Sequence, residues 1–582
     1  MIIKKYILAV LSGIFMVLVF PGINLSALAW IALVPLLVAI HDTNWKQSLI
    51  LGLITGVIYF GGIMNWLLAL HPFTTWFWII VGFVLLTVYL AAYVLVFAVL
   101  VNSVGRYWKR SSSAQYLAYS FLVAITWTGL EFLRGCLITG LPWAGLGHSQ
   151  WQSTSVIQIS SLAGMYSVTF LVAMINGAVA NFFIHVNRWR TSLKAAVIPL
   201  ALLIISLTYG WVALSGSPQG DKIKIALVPG NVRQMDKLMA WRSGGAKRIF
   251  DKYARATDRA AAEKPDIIVW PETSVPRHTF AAGAVPNRLS SLVKKWNAHF
   301  LMGTPHTGSS PLLFSAEVDA QSGLNNGAVS GGLRQGFKDN SISLSDDAFV
   351  SVREIDTRWF IVDGNKTYIV EEQEDKLNIY LRNTYNAAFL LSPEGEAIDK
   401  YYKIHLVPVS EYFPMKRYLP DSWQKLVTGV SDWDCGSEQT IFSAPPATFG
   451  LVICFESVFP GLFRKAVGKG VNLMGVITND AWFEGTYAAE QHYSMAPFRA
   501  VENRVSVFRC ANHGISCIID PWGRVVRKIE PKDGKDYLVG EAHLHPGGTF
   551  YTRCGDYFPW ACLAMTLFLV FQMWWYTRKA VD

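Results

Sequence analysis

The sequence predicts a membrane α-helical bundle of about eight transmembrane helices joined to a large α/β unit outside the membrane. Three observations predict it. The 582-residue chain is strongly apolar, with 52% hydrophobic residues and a mean hydropathy of +0.30. Its long apolar runs cluster at the N-terminal end, with one more near the C-terminus. Between them lies a stretch of short β-rich runs separated by segments of helical periodicity.

The apolar runs fall at about 6–20, 24–40, 49–70, 76–101, 116–133, 163–184, 195–214 and 558–576, each near the roughly 20 residues a spanning helix needs. One such run could be a buried core helix, but so many in succession, joined by short loops, exceed what a soluble core holds. Lys4, Lys5 and the sequence Ala27-Leu28-Ala29 also suit a signal peptide. The spans that follow favour an uncleaved first helix. Basic residues set the orientation, because they resist translocation. One alternating set of loops holds Lys4, Lys5, Lys46, Arg106, Lys109, Arg110, Arg188, Arg190, Lys194, Arg578 and Lys579, whereas the opposite short loops carry only Arg134. Both termini are therefore expected in the cytoplasm. The units are residues 1–216 (seven helices), 217–555 (the outer unit) and 556–582 (the last helix and a cytoplasmic tail).

The net charge of +10 resides largely in those juxtamembrane loops, where Lys and Arg meet anionic headgroups. No basic run suggests nucleic acid. The seven cysteines show neither C-x-x-C nor Cys/His zinc spacing, so no metal or other cofactor is expected. Cys510 and Cys517 flank a predicted hairpin turn at Asn512-His513-Gly514 and could pair across it.

In the outer unit, 223–228, 266–270, 386–391, 450–455, 472–478 and 515–519 read as strands, and 243–264, 287–297, 458–468 and 489–504 as helices. Residues 307–380 interrupt the alternation. They are rich in Gly, Ser, Asn and Asp, with Gly331-Gly332 and the acidic Glu371, Glu372, Glu374 and Asp375, and read as an insertion or long surface loop: a solvated excursion, or a lid or docking element over a site.

Three chemistry-bearing residues lie at predicted strand ends, where open α/β sheets place their sites: Glu272 in Trp270-Pro271-Glu272-Thr273, Lys403 in Tyr401-Tyr402-Lys403-Ile404-His405, and Cys454 in Val452-Ile453-Cys454-Phe455-Glu456. Singly, each has an ordinary reading as a helix cap, a solvated lysine or an inert buried cysteine. Together they supply a nucleophile, a base and a cation. A thiol of ordinary pKa, about 8.5, is only a few per cent thiolate at neutral pH, so a neighbouring carboxylate and ammonium would both activate it. Glu131 and Arg134, three apart near the end of a span, read as mutually neutralising. His492 and His513 read as packing or hydrogen-bonding residues.

Glu272, Lys403 and Cys454 in these contexts resemble the catalytic triad of the nitrilase superfamily of carbon-nitrogen hydrolases and acyltransferases. The membrane spans, together with Glu131-Phe132-Leu133-Arg134-Gly135, Thr139-Gly140-Leu141-Pro142-Trp143, His405-Leu406-Val407-Pro408, Glu411-Tyr412-Phe413-Pro414, Thr478-Asn479-Asp480-Ala481-Trp482-Phe483 and Phe498-Arg499-Ala500-Val501-Glu502-Asn503-Arg504, make nearly the whole chain similar to the bacterial apolipoprotein N-acyltransferase family. The resemblance implies an α/β/β/α nitrilase-like sandwich outside the inner membrane. It makes Glu272 the base, Lys403 the oxyanion-supporting cation, Cys454 the nucleophile, Glu411 a second essential carboxylate and Glu456 a supporting one. Trp482, Phe483, Tyr412 and Phe455 are the expected substrate-binding residues. The implied donor is a phospholipid, and the acceptor the N-terminal amine of a diacylglyceryl-cysteine apolipoprotein. Glu484 stands where the family usually has Gly, Cys510 and His513 are atypical, the 307–380 insertion is long, and the family's Trp beyond Gly230-Asn231 has only Leu238 or Trp241 nearby.

Two other readings remain at this point. The same triad could serve a membrane-anchored amidase or nitrilase, although so many spans exceed what anchoring needs. A transporter or binding protein would place polar residues and broken helices at mid-membrane, and the mid-span residues here are mostly apolar.

Overall fold

The computed structural model describes residues 2–107, 112–216, 220–243, 245–275, 285–309, 314–317, 349–353, 358–363, 366–373, 376–413 and 433–579. Among them, six helices are long and apolar enough to cross a membrane: Trp45–Leu70, Trp76–Arg106, Ser113–Cys136, Met165–Ile184, Val186–Ser215 and Tyr557–Trp575. The first helix, Ile2–Leu18, is shorter than all of these, two of them only slightly longer and the other four by about two turns or more. Its 17 residues reach about 26 Å at 1.5 Å per residue.

The apolar run at 24–40 does not form the single helix expected. It splits into a 3-10 turn, Ser26–Trp30, and a short helix, Val34–Ile40, with Pro35 in the first turn, where the missing N–H breaks no intrahelical bond. A buried side chain from another helix satisfies backbone groups freed at the break. Asn176 Oδ1 accepts from Leu33 N at 2.8 Å and Nδ2 donates to Ala29 O at 2.9 Å, the substitution for water that an apolar medium demands. Close helix contact elsewhere relies on absent side chains: a Cβ on Gly56 would sit 2.8 Å from Ala91 Cα, and one on Gly52 2.8 Å from Leu95 Cα. Glu131 and Arg134 do not simply neutralise each other. The carboxylate of Glu131 accepts from Trp127 Nε1, Leu146 N and Thr169 Oγ1, and Arg134 donates to Trp143 O at 2.7 Å. Both side chains thus pin the loop that follows their helix.

Outside the bundle two sheets face each other. The first runs in the order Leu538–His543, Lys222–Leu227, Ile267–Trp270, His299–Ser309, Lys376–Leu391, Lys366–Gln373, Arg358–Asp363, Phe349–Arg353, and the second in the order Ile441–Ala444, Ala447–Ile453, Leu473–Asn479, Ser506–Asn512, Ser516–Ile519, Val525–Ile529. The two-residue period of a strand sends alternate side chains to opposite faces. Leu451 and Ile453 therefore join Ile225, Val269 and Leu301 between the sheets, while Val452 faces the helices Pro460–Gly468 and Ala496–Asn503. Helices Ala246–Ala261 and Asn287–Trp296 cover the outer face of the first sheet. The result is the α/β/β/α sandwich.

Two expectations change. The described parts of 307–380 are not a loop: Phe349–Arg353, Arg358–Asp363 and Lys366–Gln373 form an antiparallel meander continuing onto the long strand Lys376–Leu391, which also pairs with Phe314–Glu317. Strand-forming residues such as Phe349, Trp359, Phe360, Ile361 and Tyr368 override the polar composition around them. Cys510 and Cys517 are both free. The hairpin does turn where expected, but Arg509, not Cys510, stands opposite Cys517, so the two thiols point to opposite faces. Cys510 lies between the sheets with its thiol donating to Val269 O at 3.3 Å, and Cys517 lies beneath the helices. Alkylation of the protein unfolded without reductant, followed by peptide mass spectrometry, is expected to modify both. A Cys510–Cys517 cross-linked peptide would contradict this register.

Candidate active site

Each predicted residue sits just past the end of a strand. Glu272 follows Ile267–Trp270 in the first sheet, Lys403 follows Ala397–Tyr402, and Cys454 follows Ala447–Ile453 in the second. Cys454 opens a 3-10 turn, Cys454–Val458, with φ of 54°, a left-handed conformation that side chains with a Cβ resist. Sharp reversal at a strand end brings the thiol out of the sheet. Gly303 makes room on the neighbouring strand: a Cβ there would lie 2.7 Å from Glu272 Cα and 2.6 Å from Pro271 O.

The structure brings the buried Glu272, Lys403 and Glu411 together with the half-buried Cys454 in one cluster. Lys403 Nζ lies 2.9 Å from Glu411 Oε1 and 3.8 Å from Glu272 Oε1. Asn386 Nδ2 donates to both carboxylates, at 2.7 Å to Glu272 Oε1 and 3.0 Å to Glu411 Oε1. The second oxygen of Glu411 accepts from Val407 N at 2.8 Å. The Cys454 thiol is a hydrogen-bonding neighbour of Glu272 and Thr478.

Glu456 is the clasp between strands. Its Oε2 accepts from Ile453 N at 2.7 Å, and its Oε1 accepts from Ile404 N at 2.7 Å, His405 N at 2.9 Å and the Tyr401 hydroxyl at 2.9 Å. One carboxylate thus fastens the Cys454 turn to the residues just after Lys403. Burial pushes the Glu456 carboxyl up to about 7 against the pull of those backbone donors and of Lys403.

The electrostatics favour proton transfer during attack over a standing thiolate. Burial and then the Glu272 charge push the Cys454 thiol up, with Lys403 opposing them. Burial also lifts the Glu272 carboxyl, which Lys403 lowers and Glu411 raises again, so it takes up a proton more readily than an exposed carboxylate. Burial works against the Lys403 ammonium, yet Glu411 and Glu272 outweigh it and hold its pKa above the ordinary range. The cluster can therefore present a thiol, a base beside it and a fixed positive charge.

Aromatic side chains join this site to the bundle. Phe483 meets Trp66 with ring centroids 4.5 Å apart, and Trp482 meets Phe73 at 5.0 Å. Phe455 contacts Phe459 at 5.2 Å, and both belong with Val458 to the apolar cluster of the membrane helices. Tyr412 directly follows Glu411 in a turn closed by Val409 N donating to Tyr412 O at 2.7 Å. From the bundle side, Trp143 Nε1 donates to Gln491 Oε1 at 2.8 Å, and Thr139 O lies 3.0 Å from His405 Nε2. Glu484 contacts Arg233 Nε at 3.5 Å and His513 Nε2 at 3.4 Å, so the unusual Glu and His tie together three loops at this end of the sheets. The Trp241 side chain lies outside the described residues.

Sequence reading missed Asn386 and Lys237. Asn386 lies inside a predicted strand, where nothing marks it as facing two carboxylates. Lys237 is buried, its Nζ donates to Thr273 O at 3.0 Å, and burial pulls it down to about 7 while Glu272 pushes the other way. A single lysine on a helix reads as solvated, and only its place beside Gly230-Asn231 could have drawn notice.

A cysteine, a carboxylate and an ammonium at the strand ends of an α/β/β/α sandwich define an enzyme of the carbon-nitrogen hydrolase class, and the model of that family matches residues 357–545. The model described as the apolipoprotein N-acyltransferase N-terminal domain matches residues 12–178. The apolipoprotein N-acyltransferase of Geobacter metallireducens is 33% identical over 96% of this chain and 94% of its own. That of Chlorobaculum tepidum is 25% identical over 97% and 95%, and apolipoprotein N-acyltransferase 1 of Treponema denticola 26% identical over 96% and 94%. The chain belongs to the apolipoprotein N-acyltransferase family, and it is a membrane acyltransferase.

These fields fix the sign of a pH test. The negative charge of Glu272 opposes thiolate formation and Lys403 assists it. The rate of Cys454 alkylation, followed by peptide mass spectrometry as the pH is raised from about 7, is expected to lie above the native profile in Glu272→Gln and below it in Lys403→Met. Identical profiles in all three proteins would mean that neither group faces the sulfur.

Proposed function

We propose that the chain carries a fatty acyl group as a thioester on Cys454, from a membrane phospholipid to the N-terminal amine of a diacylglyceryl-cysteine apolipoprotein. The observation that carries this reading is the seat of the nucleophile's turn. Phe455, Val458 and Phe459 belong to the apolar cluster of the membrane helices. A thiol held there meets lipid more readily than a soluble amide, and thioester chemistry is sheltered from water.

In the first half-reaction the sulfur attacks the ester carbonyl as its proton passes to Glu272. The tetrahedral oxyanion is stabilised by Lys403 and backbone N–H groups. Collapse breaks the ester C–O bond, and the proton on Glu272 goes to the departing alcohol, leaving a lysophospholipid and the S-acyl enzyme. In the second, the acceptor amine gives a proton to Glu272 and attacks the thioester. The C–S bond breaks, the sulfur regains the proton, and an amide is formed. Glu411 holds the ammonium and Glu456 holds the turn, while Trp482, Phe483, Phe455 and Tyr412 line the approach of the acyl chains. The distribution of Lys and Arg supports placing the enzyme in the bacterial inner membrane with both termini cytoplasmic and the sandwich on the periplasmic side.

Intact-mass spectrometry after incubation with phospholipid tests the reading. The native protein is expected to gain one acyl mass on Cys454, removable by hydroxylamine and by a diacylglyceryl peptide that becomes N-acylated, and Cys454→Ala to gain none. An adduct lost only to water would favour a hydrolase, and no adduct with any phospholipid would overturn the proposal.

A further inference from the structure

Beneath the nucleophile lies a second constellation that the reaction above leaves idle. Ser457 Oγ is 2.6 Å from His492 Nε2, and His492 Nδ1 is 3.1 Å from Asp480 Oδ1. All three side chains are buried. The order resembles a Ser-His-Asp acyl-transfer triad, but the hydroxyl is already engaged. Ser457 Oγ donates to the carbonyl oxygen of Cys454 at 2.9 Å, and His492 Nε2 lies 3.2 Å from the same oxygen. The chain of groups converges on the backbone of the nucleophile.

Arg509 sets the far end. Fully buried, its Nη2 lies 2.8 Å from Asp480 Oδ2 and 3.1 Å from His492 Nδ1. With Nδ1 accepting from Arg509, Asp480 braces the ring through the guanidinium it shares rather than by a direct bond, and the proton of the neutral ring lies on Nε2, where it serves Ser457, whose hydroxyl serves the Cys454 carbonyl. Burial and then Arg509 keep the imidazole below its ordinary pKa, with Asp480 opposing, which suits a neutral donor. Thr478 Oγ1 donates to Asp480 Oδ1 at 3.0 Å and is also a hydrogen-bonding neighbour of the Cys454 thiol. The network thus leaves Cys454 by its side chain and returns by its carbonyl.

Such a network answers a local need. With φ at 54°, Cys454 holds a conformation that persists only where its surroundings over-determine it. We propose that His492, braced by Asp480 and Arg509 and acting through Ser457, is a positioning residue for acyl transfer: it clamps the Cys454 carbonyl and so aims the thiol at Glu272 and the incoming carbonyl. This rests on Cys454 being the acylated residue. Loosening the clamp misplaces the sulfur in both half-reactions, and a misplacement of about 1 Å can slow a reaction about a hundredfold.

The test uses the full-length protein in phospholipid vesicles, with the two half-reactions timed separately. His492→Phe keeps a ring against Trp143, whose centroid lies 5.5 Å from that of His492, but removes the donor. His492→Gln returns an amide N–H near the position of Nε2. The expected result is that His492→Phe slows acylation of Cys454 and transfer to a diacylglyceryl peptide by a similar factor, about a hundredfold, with KM for phospholipid unchanged, and that His492→Gln recovers at least a tenth of the native rate. A purely structural histidine would lower the yield of folded enzyme or its Tm while each alkylatable thiol turned over at the native rate, and that result overturns the proposal. Should His492→Phe fail to fold, Ser457→Ala carries the test, with about a tenfold loss expected in both steps and a native rate overturning it. A native protein without an adduct on Cys454 would remove the underlying reading and this proposal with it, a result distinct from a native adduct unaffected by the variants.

Discussion

A lysine ammonium with 1% of its surface exposed persists as a charge only where opposite charges replace the water it has lost. Lys403 has two such neighbours, Glu411 in contact and Glu272 slightly farther off, and Asn386 donates to both. The arrangement constrains everything around it. Glu272 must follow its strand closely enough to reach the ammonium, which calls for Gly303 next door. The turn bearing Glu411 must fold back, and does so by giving Val407 N to the second oxygen of Glu411. Removing one member of a buried ion pair typically costs about 3–5 kcal/mol, so the cluster is a condition of the fold as well as of the chemistry.

The second sheet enters through Glu456. Its carboxylate gathers donors from Ile404, His405, Tyr401 and Ile453, which binds the Lys403 segment to the Cys454 turn. Glu272 and Lys403 come from one sheet and Cys454 from the other, and this single side chain ties the two together. Phe455 and Phe459 then seat the same turn among the membrane helices. An enzyme working on water-soluble amides has no use for that connection, whereas one whose acyl donor lies in a bilayer depends on it.

Much of this was legible in the sequence because each element obeys a local rule. Strands such as Leu473–Asn479 are short and β-rich, the spans are long and apolar, and Glu272, Lys403 and Cys454 all stand where strands end. The failures share a cause, which is that tertiary partners are invisible to local patterns. The break at 31–33 is made tolerable by Asn176, far along the chain. The face of the sheet that a cysteine occupies depends on register, so Cys510 and Cys517 looked like partners and are not. The meander within 307–380 hides in a polar composition because the Gly- and Ser-rich sequence 318–348 precedes it and its strands are joined by short polar links such as Gly364-Asn365 and Glu374-Asp375. Asn386, Lys237 and the Ser457–His492–Asp480 chain have no local signature, since each is defined by what it touches across the fold.

A double-mutant cycle on the rate of Cys454 acylation, using Lys403→Met and Glu411→Gln, asks whether the ammonium and its carboxylate partner present charge to the reaction as one unit. If they do, the double variant is about as slow as the worse single one, a coupling of about 2 kcal/mol or more. Losses that simply add would mean that the two side chains act independently.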